Sequence, residues 1–317
     1  MQPSSSVEEL GKRYPNFVVQ LDDFYIGETI GSGGFSIVRL GMQYSTGTLC
    51  AMKELKCEDL NGNRIIPYEK EISILSRCSD LFILKFIGFT IKYPFVIITE
   101  YIPGGSLHSA LRLANDFAIN LTGTQKTIIS LGVAKGFMVL HKSGVIHHDL
   151  KSANILLDSE MLPIICDFGI SIDKHFSSKK RHEMIGTPNW LAPEVFEHKD
   201  YDFKIDVYAY GMLLWEILTG SVPFKGKTNE EIEHAVAQKG QRPSIPIMTP
   251  TPLKNLINNC WVQDPKARPT FKEIYQMFAE HQVKFPDTDD KAINRVIGYI
   301  KKVEMLQNKN RKKIVNN

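Results

Sequence analysis

Two acidic residues in the middle of the chain have a spacing that could support chemistry. Asp149 and Asp167 are separated by a short apolar strand, a turn and a second short strand, so a hairpin would bring both carboxylates to one edge. Lys151 and Asn154 follow Asp149 by two and five residues. A proton-accepting carboxylate, a cation, and an amide and a carboxylate that bind a metal are what phosphoryl transfer requires, because that reaction depends mostly on positioning and charge neutralisation.

The same stretch contains the motif H-x-D-L-K-x-x-N and, after a short gap, D-F-G. In this order they resemble the catalytic loop and the metal-binding loop of the protein kinases. Either fragment alone would be a weak signal, but further parts of the pattern lie on both sides. The resemblance covers about residues 22–281. It implies an α+β, bilobal fold with a β-rich N-lobe (22–102) and an α-rich C-lobe (103–281).

The resemblance implies a role for each of these side chains. Asp149 would accept the proton of the substrate hydroxyl, and Lys151 would stabilise the γ-phosphate of ATP. Asn154 and Asp167 would bind Mg²⁺, with Mn²⁺ as an alternative. Lysine two residues after the aspartate resembles the serine/threonine-specific form of the family, and so does Thr187 before the W-L-A-P-E run.

The N-lobe contains the residues expected to bind ATP. A glycine-rich loop lies between the first two strands, with Ser36 in place of the third glycine of the family pattern. Lys53 in A-M-K would bind the α- and β-phosphates and pair with Glu71 of the next helix, because Glu69 points away from the apolar face of that helix. The expected nucleotide-binding residues are Ile30, Gly31, Ser32, Gly33, Gly34, Val38, Ala51, Lys53, Thr99, Glu100, Ile102, Leu156 and Asp167.

Three residues of that set, Thr99, Glu100 and Ile102, belong to the predicted strand and hinge between the lobes. By resemblance, Thr99 would be the gatekeeper, and the backbone of Glu100 and Ile102 would bond the adenine edge. The resemblance also implies three residues as structural supports. Glu194 and Arg268 would form an ion pair, and a buried Asp206 would fix the backbone of the catalytic loop. The residues expected to stack as a regulatory spine are Leu75, Phe86, His147 and Phe168.

One residue of the catalytic loop departs from the family pattern. The arginine of the usual H-R-D motif is His148 here. That arginine normally binds an activation-loop phosphate through two hydrogen bonds, a geometry that imidazole does not reproduce. We therefore expect activity to depend less on phosphorylation of the activation segment (167–194) than in H-R-D enzymes. The candidate phosphorylation sites are Ser171, Ser177, Ser178 and Thr187.

The order of elements favours two lobes with a cleft between them. Three strands from Phe24 onward, a helix around Tyr68 to Leu75 and two strands at 84–90 and 95–101 precede a P-G-G-S-L break. A β-rich part followed by an α-rich part is typical of a two-lobed α+β protein. The predicted helices after the break are Thr124–Ser143, Ile205–Thr219, Asn229–Gln238, Thr251–Trp261 and Phe271–Ala279.

The composition is that of an ordinary globular protein, with 43% hydrophobic and 23% charged residues and a net charge of +3. This small charge gives no reason to expect nucleic acid as a partner. The five cysteines are scattered and form no C-x-x-C pair, which favours reduced thiols and a cytoplasmic location, with nuclear entry left open. No apolar run is long enough for a transmembrane segment.

The two ends of the chain carry weaker signals. Residues 1–21 have no sustained period, and we expect a flexible lead. The segment 282–317 is a basic tail in which Ala292–Leu306 could form an amphipathic helix. A solvated tail is the default expectation. Docking to an acidic partner and a nuclear-import signal, both suggested by the N-K-N-R-K-K cluster, are the alternatives.

These features indicate an ATP- and Mg²⁺-dependent protein serine/threonine kinase, most similar to the tyrosine-kinase-like group, which acts on a protein substrate in signalling. A pseudokinase is one alternative, favoured only by Ser36 and His148. A kinase that also accepts tyrosine is a closer alternative. A small-molecule phosphotransferase is disfavoured by the complete activation segment. The sequence leaves open the physiological substrate, the oligomeric state and whether the chain is a fragment of a longer protein.

Overall fold

The computed structural model describes residues 6–58, 60, 64–113, 121–173 and 184–315. Its main sheet has five strands in the order β1-β2-β3-β5-β4, and every neighbouring pair is antiparallel. These strands are β1 (Phe24–Ser32), β2 (Ser36–Gln43), β3 (Leu49–Leu55), β4 (Phe86–Phe89) and β5 (Val96–Glu100). The four short strands of the C-lobe are β6 (Val145–Ile146), β7 (Ile155–Leu157), β8 (Pro163–Ile165) and β9 (Ile172–Asp173).

Helices make up most of the C-lobe, as the α-rich second half of the sequence predicts. Two helices precede the C-lobe, α1 (Val7–Arg13) and α2 (Ile65–Leu75). The helices that follow are α3 (Leu107–Leu113), α4 (Gly123–Lys142), α5 (Pro193–Phe196), α6 (Lys204–Thr219), α7 (Asn229–Glu233), α8 (Thr251–Cys260), α9 (Phe271–Ala279) and α10 (Asp290–Val315). The bilobal α+β fold is thus confirmed. No helix of the described residues is long and apolar enough to cross a membrane.

One face of the main sheet looks into the cleft. Ala51 lies opposite Thr99, and Lys53 lies opposite Val38. Directly paired residues of antiparallel strands share a face, and so do alternate residues of one strand, so these four side chains point the same way. Met52 points to the opposite face, where a small separate core covers the sheet. The strand order therefore places the expected nucleotide contacts together on one surface.

Two short antiparallel strand pairs position the segment of the C-lobe that contains Asp149 and Asp167. Strands β7 and β8 pair so that Ile155 lies opposite Ile165, and β6 pairs with β9. The loop from His147 to Asn154 joins β6 to β7, and Asp167 follows directly after β8. Because adjacent ends of an antiparallel pair meet at one edge, Asp149 and Asp167 come together although they are 18 positions apart in the chain.

The expectation of a flexible lead over residues 1–21 is wrong for the described part of that segment, residues 6–21. Helix α1 begins with a capping box in which Ser6 and Glu9 exchange hydrogen bonds. Leu10 is fully buried, and Phe17 packs on Phe86 of β4 with 4.9 Å between the ring centroids. A single buried leucine and one aromatic contact fix a segment too short to show a period.

The expectation of a solvated C-terminal tail is also wrong for the first half of α10. Ile293, Ile297 and Ile300 are buried against the C-lobe, at the spacing of one helix face. The preceding connection is fixed by Thr127, whose hydroxyl accepts a hydrogen bond from the Phe285 backbone at 3.0 Å. Helix α4 leaves an apolar surface that the C-lobe helices α6 and α9 do not fully cover, and α10 packs there.

Candidate active site

A lysine from the sheet, a glutamate from α2 and the aspartate after β8 meet in the cleft. Lys53 Nζ lies 2.8 Å from Glu71 Oε2 and 3.0 Å from Glu71 Oε1. The same ammonium lies 3.2 Å from Asp167 Oδ1. Glu69, the rival partner, instead contacts Arg13 of α1 at 2.6 Å. The cluster places a cation between two carboxylates that come from different lobes.

The pKa values of these three groups follow from burial and from each other's charge. Burial alone would lower the pKa of Lys53, but the carboxylates of Glu71 and Asp167 raise it above its ordinary value, so the lysine stays charged. Burial raises the pKa of Glu71, which Lys53 offsets only in part. Asp167 is also desolvated, yet the ammonium of Lys53 holds its pKa below the ordinary value. Asp167 is therefore ionised at neutral pH.

The catalytic loop forms a closed hydrogen-bond network around Asp149. Lys151 Nζ donates to Asp149 Oδ2 at 2.6 Å and to Thr187 Oγ1 at 2.7 Å. The Thr187 hydroxyl in turn donates to Asp149 Oδ1 at 2.6 Å. Asn154 Nδ2 donates to the backbone oxygen of Asp149 at 2.8 Å and to its Oδ2 at 2.9 Å. Both carboxylate oxygens are held in place before any substrate binds.

Asp206 of α6 fixes the backbone of this loop from below. Its two carboxylate oxygens accept hydrogen bonds from the backbone of His147 at 2.9 Å and of His148 at 3.0 Å. His141 Nε2 makes a third contact with Asp206 at 2.9 Å. His148 has a φ of 73°, a left-handed conformation that is costly for a residue with a Cβ. The buried carboxylate stabilises this strained turn, which leads directly into Asp149.

His148 itself is buried, with 5% of its surface exposed. Its ring packs edge to face on Tyr201 at 5.0 Å between centroids, so it lies in an aromatic contact beside the loop. Ser171 is fully buried and its hydroxyl donates to the His147 backbone oxygen at 3.0 Å, which makes this serine a poor candidate for phosphorylation. Ser177 and Ser178 lie outside the described residues.

The expected adenine pocket has apolar walls that the chain itself leaves partly uncovered. Val38, Ala51 and Leu156 are only half-buried, and Ile30 is 42% exposed. Thr99 is buried at the back of this surface. Apolar side chains that line a cleft without being covered are typical of a site for a flat, mostly apolar group.

The hinge continues this pocket towards the C-lobe. The backbone of Glu100 is partly engaged, because its amide donates to Lys85 oxygen at 3.0 Å. Ile102 follows the end of β5 and leads into the turn at Gly104 and Gly105. The connection after β5 therefore runs beside β7, where Ser106 forms an isolated β-bridge with the half-buried Leu156.

The glycine-rich loop is held by a residue that the sequence pattern does not reveal. Lys56, just after β3, donates to Gly33 oxygen at 2.7 Å and to Ser32 Oγ at 3.2 Å. A Cβ added at Gly34 would meet no atom within 4 Å, so the space above the loop is open to a ligand. Gly31 lies opposite Val38 in the sheet. The loop is thus anchored at its base while its backbone stays accessible at the tip.

Two oxygen donors for a divalent cation lie at the same end of the β7–β8 pair. The Cys166 amide donates to Asn154 oxygen at 3.1 Å, which brings Asn154 beside Asp167. The amide nitrogen of Asn154 makes both contacts with Asp149, which leaves its side-chain oxygen as the atom that could bind a cation. The described residues contain no group of three or more His, Cys, Asp or Glu side chains that could hold a metal alone. One amide and one carboxylate suit Mg²⁺, which keeps waters and phosphate oxygens as its other ligands.

One buried ion pair supports the site without touching it. Arg268 is fully buried and binds Glu194 through two hydrogen bonds of 2.6 and 2.8 Å, which ties the end of the activation segment to the C-lobe.

Burial and the neighbouring Asp167 raise the pKa of the Cys166 thiol to about 12. That thiol is therefore protonated at neutral pH and is a weak nucleophile.

Sequence reasoning missed two residues that position the site. His141 lies 65 residues before its partner Asp206, and Lys56 contacts the glycine-rich loop from the far end of β3. Neither residue belongs to a motif. A histidine in the last turn of a helix and a lysine at the end of a strand are common on any surface, so no local signal distinguishes them.

Comparison with known proteins agrees with this geometry. Residues 24–278 match the family of protein tyrosine and serine/threonine kinases. The chain is 38% identical over 269 residues to a probable serine/threonine-protein kinase of Dictyostelium discoideum, covering 84% of this chain and 29% of the relative. It is 35% identical over 263 residues to the serine/threonine-protein kinase STY46 of Arabidopsis thaliana, covering 83% of this chain and 45% of the relative.

A third relative, the serine/threonine/tyrosine-protein kinase HT1 of Arabidopsis thaliana, is 32% identical over 268 residues, which are 84% of this chain and 68% of the relative. The chain therefore spans less than half of the length of the first two relatives. The family match covers most of the chain and includes both lobes and the residues of the cleft. The protein belongs to the protein tyrosine and serine/threonine kinase family.

Proposed function

We propose that the chain is an ATP- and Mg²⁺-dependent protein serine/threonine kinase, with residues 22–281 as its catalytic domain. The observation that carries this proposal is the closed triangle of Asp149, Lys151 and Thr187, whose three contacts are 2.6 to 2.7 Å long. It joins the catalytic loop to the segment that precedes W-L-A-P-E. A proton acceptor held against a peptide-facing segment supports transfer to a protein hydroxyl.

The chain's own residues account for positioning and proton transfer. Asp149 Oδ accepts the proton from the incoming hydroxyl, with its carboxylate oriented by Asn154 and Lys151. The hydroxyl then attacks the γ-phosphorus, the bond from phosphorus to the β,γ-bridging oxygen breaks, and ADP leaves. Lys151 neutralises charge that develops on the transferred group, and Lys53, held by Glu71, orients the α- and β-phosphates.

Asn154 and Asp167 would hold the divalent cation, whose chemistry is to neutralise the charge of the phosphate oxygens. Mn²⁺ would satisfy the same oxygen donors. The adenine would lie between Ile30, Val38 and Leu156. The hinge from Thr99 through Glu100 to Ile102 would supply the backbone hydrogen bonds, and Gly31, Ser32, Gly33 and Gly34 would cover the phosphates.

A kinase that accepts tyrosine as well is the second candidate. It is favoured by one of the relatives, which is named a serine/threonine/tyrosine-protein kinase. A tyrosine hydroxyl lies farther from its backbone than a serine hydroxyl, so the backbone of a tyrosine substrate would have to lie farther from Asp149. Thr187 makes hydrogen bonds with both Asp149 and Lys151, the arrangement that the resemblance associates with serine and threonine specificity. A pseudokinase is disfavoured because Lys53 and Glu71 are paired in the structure.

The same features support proposals about regulation, cellular compartment and partner. We propose that phosphorylation of the activation segment contributes little, because His148 packs on Tyr201 and lacks the guanidinium that binds a phosphate with two hydrogen bonds. This proposal would be contradicted if removing phosphates from Ser177, Ser178 and Thr187 lowered the activity as much as it does in an H-R-D enzyme. The five cysteines are free, which supports a reducing compartment such as the cytoplasm. The basic end of α10 would suit an acidic partner.

The test is transfer of labelled γ-phosphate from Mg·ATP to a generic basic protein and to the chain itself. Wild type is compared with Asp167→Asn, which keeps the shape of the side chain and loses the charge. Label on serine and threonine that disappears in the variant supports the proposal. Label on tyrosine as well supports the second candidate. No label with ATP still bound would overturn both and favour a pseudokinase.

A further inference from the structure

An ion pair links the C-terminal end of α2 to the first strand of the activation segment. The guanidinium of Arg77 contacts the carboxylate of Asp173 in β9. Arg77 Nε also donates to Ser73 oxygen at 3.0 Å, one of the carbonyls at the end of α2 that have no helical partner. The guanidinium is therefore fixed to the helix on one side and to β9 on the other. The Asp173 side chain is 8% exposed, so the guanidinium of Arg77 is a counter-charge to a carboxylate that is largely removed from water.

The two ends of this link lie close in sequence to the reacting groups. Glu71, which holds Lys53, lies on α2, six residues before Arg77, and Arg77 lies in the turn that directly follows this helix. Asp173 lies six residues after Asp167 and is paired in the sheet with Val145 of β6. Strand β6 runs directly into the loop that carries Asp149. A shift of α2 away from β9 would therefore move Glu71 relative to Lys53 in the N-lobe and to Asp167 in the C-lobe.

We propose that Arg77 and Asp173 form a positioning pair that keeps α2 in the place where Glu71 meets Lys53, without a phosphate on the activation segment. The inference rests on the proposed kinase function. It also offers a physical reason why His148 is tolerated in place of the family arginine. Asp173, a carboxylate of the chain itself, supplies the negative charge at the start of the activation segment. Its contact with Arg77 therefore needs no phosphorylation.

A double-mutant cycle tests the pair. Phosphatase-treated wild type, Arg77→Gln, Asp173→Asn and the double variant are compared for kcat, for the KM of a peptide substrate and for thermal unfolding. Each single variant is expected to lower kcat about tenfold with the peptide KM within about twofold, and the double variant is expected to lose no more than the worse single. Losses that multiply in the double variant, or single variants with wild-type kcat, would overturn the proposal.

Hydrogen exchange of the amides of α2 in the nucleotide-free protein gives a second readout that needs no catalysis. Both single variants are expected to exchange about tenfold faster over residues 65–75, because the helix is released from β9. Unchanged exchange in both would overturn the proposal even if activity fell. Arg39→Gln is the matched control, because Arg39 pairs with Glu54 within the sheet at 3.3 Å and touches neither α2 nor β9. If wild type transfers no phosphate, the proposed function fails and exchange alone decides on the pair.

Discussion

Lys135 in the middle of α4 and Glu304 on α10 form an ion pair with 2.6 Å between Nζ and Oε1. The Lys135 side chain is 5% exposed, whereas that of Glu304 is 42% exposed. A lysine in such a place needs a counter-charge, because an unpaired buried ammonium is costly. The last helix supplies it. The C-terminal segment is therefore part of the structure of the C-lobe.

Removing the charge of Glu304 should destabilise the C-lobe. Because Glu304 is partly exposed and Asp80 lies within electrostatic reach of Lys135, we expect Glu304→Gln to lower the free energy of unfolding by about 1–2 kcal/mol. Chemical denaturation measures the loss. Lys301→Gln, at an exposed position of the same helix, should change the free energy by less than about 0.5 kcal/mol. Equal effects of the two substitutions would contradict the importance of the ion pair.

The apolar contact of α10 should contribute more than its ion pair. Ile300 is 2% exposed, and Ile300→Ala should cost about 2–4 kcal/mol through lost burial and the cavity left behind. The neighbouring Tyr299 is 48% exposed, so Tyr299→Ala serves as the control with a small effect. Thermal unfolding of both variants distinguishes the two. A stability unchanged by Ile300→Ala would mean that α10 is detached in solution.

Asp149→Asn should separate catalysis from nucleotide binding. The amide keeps the size of the side chain and one of its two acceptor oxygens but accepts a proton poorly, so kcat should fall by about 10²- to 10⁴-fold. The affinity for Mg·ATP, measured by calorimetry, should stay within about twofold because Asp149 is not among the groups that bind the nucleotide. Lys53→Met is the opposite case and should weaken use of ATP itself. Wild-type turnover in Asp149→Asn would show that another group accepts the proton.

The hydroxyl of Thr187 should matter more than its methyl group. Thr187→Val keeps the shape but leaves Asp149 Oδ1 and Lys151 without their shared partner, and we expect kcat to drop by about tenfold to hundredfold. Thr187→Ser retains the hydroxyl and should keep most of the activity. Steady-state assays of the two variants measure this difference. Similar losses in both would point to packing as the role of Thr187.

The stabilising effect of Asp206 should depend on pH. Burial alone would raise the pKa of this carboxyl, but the hydrogen bond and charge of His141 and the proximity of His147 hold it below the ordinary value. A folded pKa below the unfolded value of about 3.9 means that Asp206 contributes stability above that pH, and that this contribution is lost as the pH falls through the folded pKa.

We therefore expect Asp206→Asn to be less stable than wild type at pH 7 by about 2–3 kcal/mol, because charge-assisted hydrogen bonds are lost. The difference should shrink below about pH 4, where the unfolded wild-type chain binds a proton at this carboxyl and the folded state does not yet do so. Unfolding in denaturant from pH 3 to pH 7 measures it. A difference that stays constant over this range would mean that the charge of Asp206 does not stabilise the fold.

Local chemistry determined much of the site. Asp149, Lys151 and Asn154 lie within six consecutive residues, so their relation is fixed by one short loop and can be read from the chain. Lys53 and Glu71 are 18 residues apart, but a strand followed by a helix with one apolar face limits where the glutamate can point. Thr187 was assigned by its motif, and the structure places its hydroxyl against Asp149.

Other features depended on surfaces that do not exist until the lobes have formed. The apolar face of Ile293, Ile297 and Ile300 is visible in the sequence, but a helix with such a face could equally have met a partner. Only the uncovered side of α4, with the buried Lys135 in it, decides that the face packs within the chain.

The sequence by itself determined the kind of chemistry and the two-lobed fold, because motifs and periodicity act over a few residues at a time. The tertiary structure alone decided that residues 6–23 pack on the sheet, that Lys56 holds the glycine-rich loop and that Arg77 meets Asp173. These contacts join segments 23 to 96 residues apart. Their free energy arises from burial and charge pairing that no local pattern encodes.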